Sequence, residues 1–240
     1  MMHLAVGTPM FAGVCVAEYD RSIAALRSAL ASDGSKLTVI RLGNESLIPR
    51  ARDTITWHFL QTDASHLLWC DADQGFRVED VARMVAAKKP MIIAPVPMKR
   101  IHWERVAAAV KAGVPADKLH LCTGIFNIAS LDGHKMVSRD EPFRIKWGGT
   151  GLMLLERRVF EELAPSTPEY VNRLPGDALP QGVRVKHFFP VEIEGEELLS
   201  EDFALCANWI KAGGEVWCAP WVRVTHVGTY AFEGEYALCR

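Results

Sequence analysis

Apolar residues fall in two rhythms along the first half of the chain. Short unbroken runs alternate with segments in which an apolar side chain recurs every third or fourth position. Leu4-Ala5-Val6-Gly7 reads as a strand stopped by Thr8-Pro9, and Leu37-Thr38-Val39-Ile40 as a second. Between them, Tyr19–Ala31 carries Ile23, Leu26 and Leu30 on one helix face, and Asp33-Gly34 ends it. Ile48–Leu60 is a second amphipathic helix, and His66-Leu67-Leu68-Trp69-Cys70 is a third strand that breaks into Asp71-Ala72-Asp73. Val78–Ala87 and Met91–Ala94 continue the alternation with a helix and a buried strand. This rhythm predicts an α/β protein with a mostly parallel central sheet flanked by helices. Ligands of such sheets bind beyond the carboxyl ends of the strands, where Asp71 and Asp73 fall.

The second half is less regular. The pattern predicts helices at Trp103–Ala112 and Arg157–Leu163 and strands at Leu121–Ile128 and Gly151–Leu155. Residues 165–187 contain four prolines and read as a long loop, a natural place for acceptor selectivity. Ser200 is placed to cap a helix with Phe203, Cys206, Ala207 and Ile210 on one face, which Gly213-Gly214 terminates. Short strands follow near Val216 and at Val222–Thr225. No repeat or linker divides the 240 residues, so one domain is expected, with a nucleotide-binding half at about 1–98 and an acceptor-side half at about 99–240.

Composition narrows the function classes. Lys plus Arg (27) against Asp plus Glu (29) excludes a globally basic, histone-like protein. The sum conceals two opposed segments. Residues 85–111 hold Lys88, Lys89, Lys99, Arg100, Arg105 and Lys111 against Glu104, whereas residues 192–202 hold six acids and no base. No apolar run approaches the roughly 20 residues of a membrane span, and no basic segment precedes an apolar stretch at Met1-Met2-His3-Leu4. The six cysteines stand singly, as reduced thiols of a cytoplasmic protein would. Seven tryptophans suit a carbohydrate-facing surface or a bulky core equally.

Five groups of residues carry candidate chemistry. Asp71 and Asp73 leave a buried strand two positions apart and can converge on a divalent cation; a polar turn with an Asx cap explains them too. Glu201 and Asp202 sit in a first helical turn, where the macrodipole alone favours acids, and either is a candidate base for an acceptor hydroxyl. His226 leaves an apolar run as a structural histidine or a third ligand. Gly149-Thr150-Gly151 lets backbone approach a ligand or simply turns the chain, and Lys99-Arg100 is a diphosphate contact or a solvated pair.

The order of these pieces resembles the GT-A glycosyltransferases, and more closely the small family-2-like transferases of bacteria and phages. The matching stretches are Ala51-Arg52-Asp53, Leu68-Trp69-Cys70-Asp71-Ala72-Asp73, Lys99-Arg100-Ile101-His102-Trp103, Gly149-Thr150-Gly151-Leu152-Met153, Leu199-Ser200-Glu201-Asp202-Phe203 and His226-Val227-Gly228-Thr229-Tyr230. The resemblance implies a GT-A fold and transfer of one sugar from a nucleotide-diphosphate sugar, with Mn²⁺ or Mg²⁺. It implies that Thr8, Pro9 and Tyr19 lie near the base and ribose, with Arg52, Lys99 and Arg100 also on the donor side. Asp71 would contact the ribose or the metal, Asp73 and His226 would ligate the metal, and Gly149, Thr150 and Gly151 would line the sugar cleft. Asp202 would act as base in an inverting mechanism, with Glu201 beside it. The acceptor stays open among a glycan, a small molecule and hydroxymethylated phage DNA. The chain has no QxxRW motif, which disfavours a processive synthase. A sugar-nucleotide nucleotidyltransferase is the first alternative, although no basic loop follows the first strand. A non-catalytic carbohydrate-binding module is the second.

Overall fold

The computed structural model describes residues 1–131, 138–173 and 178–231. Cys239 and residues 174–177 of the proline-rich segment lie outside them. In chain order the first half contains β1 (His3–Met10), α1 (Ala17–Ser32), β2 (Lys36–Gly43), α2 (Ile48–Leu60), β3 (His66–Cys70), β4 (Gln74–Phe76), α3 (Val78–Ala86) and β5 (Met91–Ile93). Next come α4 (Trp103–Lys111), a 3₁₀ helix (Ala116–Cys122), β6 (Ile128–Ser130), β7 (Phe143–Gly148), β8 (Leu152–Glu156) and α5 (Arg157–Leu163). The hairpins β9 (Glu169–Val171) with β10 (Arg184–Lys186) and β11 (Glu192–Glu194) with β12 (Glu197–Leu199) precede α6 (Glu201–Lys211), β13 (Val216–Cys218) and β14 (Val224–His226).

Eight strands form the central sheet in the order β2-β1-β3-β8-β5-β13-β7-β6. Six of them run in one direction; β7 and β8 oppose the rest. The reversed β8 decides where the site forms. It pairs Cys70 with Leu152, so the Gly149-Thr150-Gly151 turn at its amino end meets the carboxyl end of β3.

Both sheet faces are covered, which is why β3 and β8 are unbroken apolar runs. Trp69 points to one side among Ile55 and Phe59 of α2, Phe160 of α5 and Leu205 and Trp209 of α6. Leu68 and Cys70 point to the other, among Tyr19, Ile23 and Leu26 of α1 and Met84 of α3. Each large side chain buried in this way contributes roughly 1.5–3 kcal/mol. Gly7 exists because β1 passes under this packing. A Cβ there would lie 2.7 Å from Ile55 and 2.9 Å from Trp69.

Several expectations need correcting. Thr8-Pro9 does not stop β1, which runs on to Met10 against β2 alone; Pro9 sits where β3 has already ended, and a missing N–H is tolerated there. Leu121–Ile128 is not a strand, because Leu121 and Phe126 find no sheet to cover them and stay 48% and 41% exposed. The supposed loop at 165–187 is built around the β9–β10 hairpin. Ser200 occupies the N-cap position of α6 without a side-chain cap bond; its hydroxyl is bonded to the Asp202 carboxylate instead. The buried face of α6 is Ala204, Leu205, Cys206, Ala207 and Trp209, whereas Ile210 is exposed. Trp209 takes that place by packing over Gly214 and donating Nε1–H to the Glu215 carbonyl at 3.2 Å.

Candidate active site

The turn after β3 is fixed from both sides by backbone. Asp71 N–H donates to the Gly151 carbonyl at 3.0 Å, and Gln74 N–H donates back to the Asp71 carbonyl at 3.1 Å. Beyond it, β4 and β14 pair as an antiparallel ribbon with Gln74 opposite His226, and Val227 N–H donates to the Asp73 carbonyl at 2.9 Å. This ribbon joins two motifs from opposite ends of the sequence.

Asp73 gathers cationic groups on one oxygen. Lys99 Nζ lies 2.5 Å and His226 Nε2 3.4 Å from Asp73 Oδ2. His226 Nδ1–H donates to the Pro97 carbonyl at 2.7 Å, which leaves Nε2 turned to the carboxylate. Partial burial pushes Asp73 up, but the hydrogen bonds from His226 and Lys99 more than reverse this and hold it at about 2. The same bond to Asp73 raises His226 above its ordinary value against the effect of burial.

Asp71 faces a different partner. Arg52, on α2 and only 4% exposed, lays its guanidinium over the Trp69 ring at 5.2 Å. Its Nη2 reaches Asp71 Oδ1 and its Nε reaches Glu201 Oε1, each at 3.3 Å, while Nη1 is buried without a partner. One arginine thus links the β3 turn to the start of α6. Burial and the neighbouring Asp202 raise Glu201, and Arg52 only partly offsets them.

Asp202 stands over the glycine turn. A Cβ on Gly149 would lie 3.4 Å from Asp202 Oδ2 and 2.9 Å from Asn127 Nδ2, so glycine keeps this floor open. The other Asp202 oxygen is held by Ser200 and by Phe203 N–H at 2.9 Å. Gly151 is equally constrained, since a Cβ there would overlap the Gln74 side chain.

The sheet therefore brings Arg52, Asp71, Glu201, Asp202, Gly149 and Gly151 together, with Asp73, Lys99 and His226 on the adjoining ribbon. Other expected residues differ in exposure. Thr8 and Tyr19 are fully buried and bonded to each other at 2.7 Å, with Arg41 Nε on the tyrosine oxygen at 3.4 Å. Pro9 is half-buried and Arg100 is exposed. Among the described residues no three His, Cys, Asp or Glu side chains converge as a cation cage; Asp73 and His226 meet as a pair while Asp71 is bonded to Arg52. The basic segment is partly spent inside the protein: Lys99 on Asp73, Arg105 on the Gly124 carbonyl at 2.6 Å, and Lys89 over the Trp217 ring at 3.7 Å. Gln74 and Asn127 escaped the sequence reading, since nothing in a lone amide residue marks it until β8 and β14 are in place. A cavity of about 800 Å³ lies behind the ribbon, between α1 and residues 120–126, and none of these carboxylates lines it.

Comparison with solved structures decides the fold. A197 from STIV superposes with a TM-score of 0.50 at 12% identity, covering 95% of this chain and 87% of that one. GalNAc-T7, solved with UDP, GalNAc and Mn²⁺, gives a TM-score of 0.50 at 12% identity, covering 94% of this chain. The fold is that of the GT-A glycosyltransferases. The chain spans 44% of the GalNAc-T7 chain. S. aureus TarS 1-349 in complex with UDP-GlcNAc aligns more loosely, with a TM-score of 0.43 at 10% identity, covering 100% of this chain and 61% of that one. No protein-family model and no curated protein matches the sequence. Among the described residues no helix is long and apolar enough to cross a membrane.

Proposed function

We propose that the protein is a glycosyltransferase that moves one sugar from a nucleoside-diphosphate sugar to an acceptor hydroxyl. One observation carries this reading: buried Arg52 ties Asp71 to Glu201 at the carboxyl end of β3, beside a carboxylate–imidazole pair. A GT-A neighbour solved with UDP and Mn²⁺ supports it.

The residues fit a divalent cation. Asp73 Oδ2 already attracts Lys99 and His226, and His226, keeping its proton on Nδ1, would offer an Nε2 lone pair on the same side once a cation displaced the proton it shares with Asp73. A carboxylate with an imidazole suits Mn²⁺ or Mg²⁺, and Asp73 and His226 would hold it. Bound there, the metal would neutralise charge on the leaving nucleoside diphosphate. Lys99 is placed to exchange its carboxylate partner for a phosphate oxygen of the donor. Arg52 keeps Asp71 and Glu201 oriented, and its unpartnered Nη1 adds a fixed donor. The free oxygen of Asp202 over Gly149 is the base that orients and deprotonates the acceptor hydroxyl. Attack from the face opposite the leaving diphosphate would invert the anomeric centre. We further propose one domain, with the donor half at about 1–98 and the acceptor half at 99–240, acting on a glycan, a small molecule or modified DNA.

The test is a screen of nucleotide sugars for hydrolysis with Mn²⁺, followed by acceptor trials with the preferred donor. Release of nucleoside diphosphate is expected. Release of pyrophosphate would instead assign the protein to nucleotidyl transfer, and binding without any turnover would make it a carbohydrate-binding module.

A further inference from the structure

We infer that the lobe at residues 98–122, built from α4 and the 3₁₀ helix, is a docking element for the surface of an anionic lipid bilayer. The inference stands apart from the glycosyltransferase reading, because its test reads attachment and not turnover.

The lobe leaves the sheet on a short paired stalk. Met98 N–H donates to the Ile125 carbonyl at 2.7 Å and His102 N–H to the Thr123 carbonyl at 3.0 Å, while Pro97 and Phe126 form a bridge. Arg105 braces the stalk from α4 through its bond to the Gly124 carbonyl. Beyond the stalk α4 packs against the 3₁₀ helix, and no residue of either helix is buried. A surface helix ordinarily turns one apolar stripe into a core. In α4 the stripe is present but uncovered. Trp103, Ala107 and Val110 recur at helical spacing, with Trp103 63% and Val110 55% exposed. Met98 and Ile101 before α4, and Leu121 near the end of the 3₁₀ helix, are exposed as well.

Charge selects the occupant. The lobe carries Arg100, Arg105, Lys111 and Lys118 against Glu104 and Asp117, so it is cationic on a chain whose formal charge is −2. Lys99 at its root is paired with Asp73 and adds nothing to this excess. An exposed tryptophan and aliphatic side chains set among cations suit the interface of an anionic bilayer. The apolar groups enter at headgroup depth, where a tryptophan ring is favoured, and the long basic side chains reach the lipid phosphates. Nucleic acid suits the lobe less well. Met98, Ile101 and Val110 offer no stacking plane for bases, and phosphate-binding surfaces are more polar than this one. A protein partner is also disfavoured, because lysine is depleted from the centres of such interfaces.

The experiment measures co-sedimentation of the full chain with vesicles of phosphatidylcholine alone and of equal parts phosphatidylcholine and phosphatidylglycerol. Two double variants are compared with the wild type: Trp103→Ser with Val110→Ser, and Lys111→Glu with Lys118→Glu. Arg27→Glu, on the exposed side of α1, is the control for loss of a cation elsewhere. All five positions are exposed, and an unchanged melting temperature checks that each variant folds. We expect the wild type to bind the anionic vesicles, to bind them more weakly at high salt, and to bind the neutral ones poorly. Each double variant should lose about tenfold or more in partition, whereas Arg27→Glu should match the wild type. Failure of the wild type to bind anionic vesicles would overturn the inference, and so would wild-type binding by both double variants or an equal loss in Arg27→Glu. Binding to duplex DNA that survives Trp103→Ser with Val110→Ser but not the lysine pair would overturn it in favour of a nucleic-acid surface. Self-association in ultracentrifugation that the Trp103→Ser, Val110→Ser variant abolishes, with no vesicle binding, would assign the lobe to a second copy of the chain instead.

Discussion

Asp73 and Asp202 have different partners, and their substitutions separate the two proposed roles. Asp73→Ala removes the carboxylate that Lys99 and His226 share, so Mn²⁺-stimulated donor hydrolysis should disappear while far-UV circular dichroism stays native. Asp202→Asn keeps the bonds to Ser200 and Phe203 within reach but offers no base. It should retain UDP and Mn²⁺ binding by calorimetry and lose transfer by about 10²-fold or more. Arg52 is different, because its removal strands two carboxylates around a buried space. Arg52→Met should destabilise the fold by about 3 kcal/mol in urea unfolding, and an unchanged midpoint would show that Asp71 and Glu201 relax into water. The acids were visible in the sequence because carboxylates rarely end an apolar run without reason. The linking role of Arg52 was not, since it depends on α2 lying across Trp69.

Among the elements, the β9–β10 hairpin shows how a proline-rich stretch is held to the core. Asp53 on α2, 1% exposed, accepts from His187 Nδ1 at 2.6 Å and from Phe189 N–H at 3.2 Å. The bond to Asp53 raises His187 above its usual 6.5 despite burial, and burial raises Asp53 above 3.8 despite His187. Both shifts act in one direction. The stability that His187 contributes is complete below pH 6.5 and is lost as pH rises through its elevated value, while the penalty of ionising Asp53 grows just above 3.8. The melting temperature should therefore fall as pH rises from 6.5 through the elevated His187 value. Asp53→Asn should flatten that slope and return His187 toward 6.5 in an NMR titration. The long helices and β3 were legible because each repeats its pattern for several residues. The three-residue strands β4, β6 and β9 to β12 were hard to read, because so short a run carries no period and is chosen by its neighbour.

For the molecule as a whole, the proposed function has donor and metal binding to surfaces drawn from α2, the β3 turn, the β4–β14 ribbon and α6. Joint binding should stabilise the fold by about 2.7 kcal/mol at a hundredfold excess over Kd, visible as a raised melting temperature with UDP plus Mn²⁺. Asp73→Ala should abolish the shift. The parallel first half could be read from its alternation; the insertion of the reversed β8 between β3 and β5 could not, because that pairing is non-local. The β4–β14 ribbon also sets a timetable for synthesis. Asp73 precedes His226 by about 150 residues in the chain, so the pair forms only once β14 has emerged. Nascent or prematurely stopped chains ending before β14 would carry the acidic turn without its imidazole. On the proposed function they would lack one of the two side chains that hold the metal.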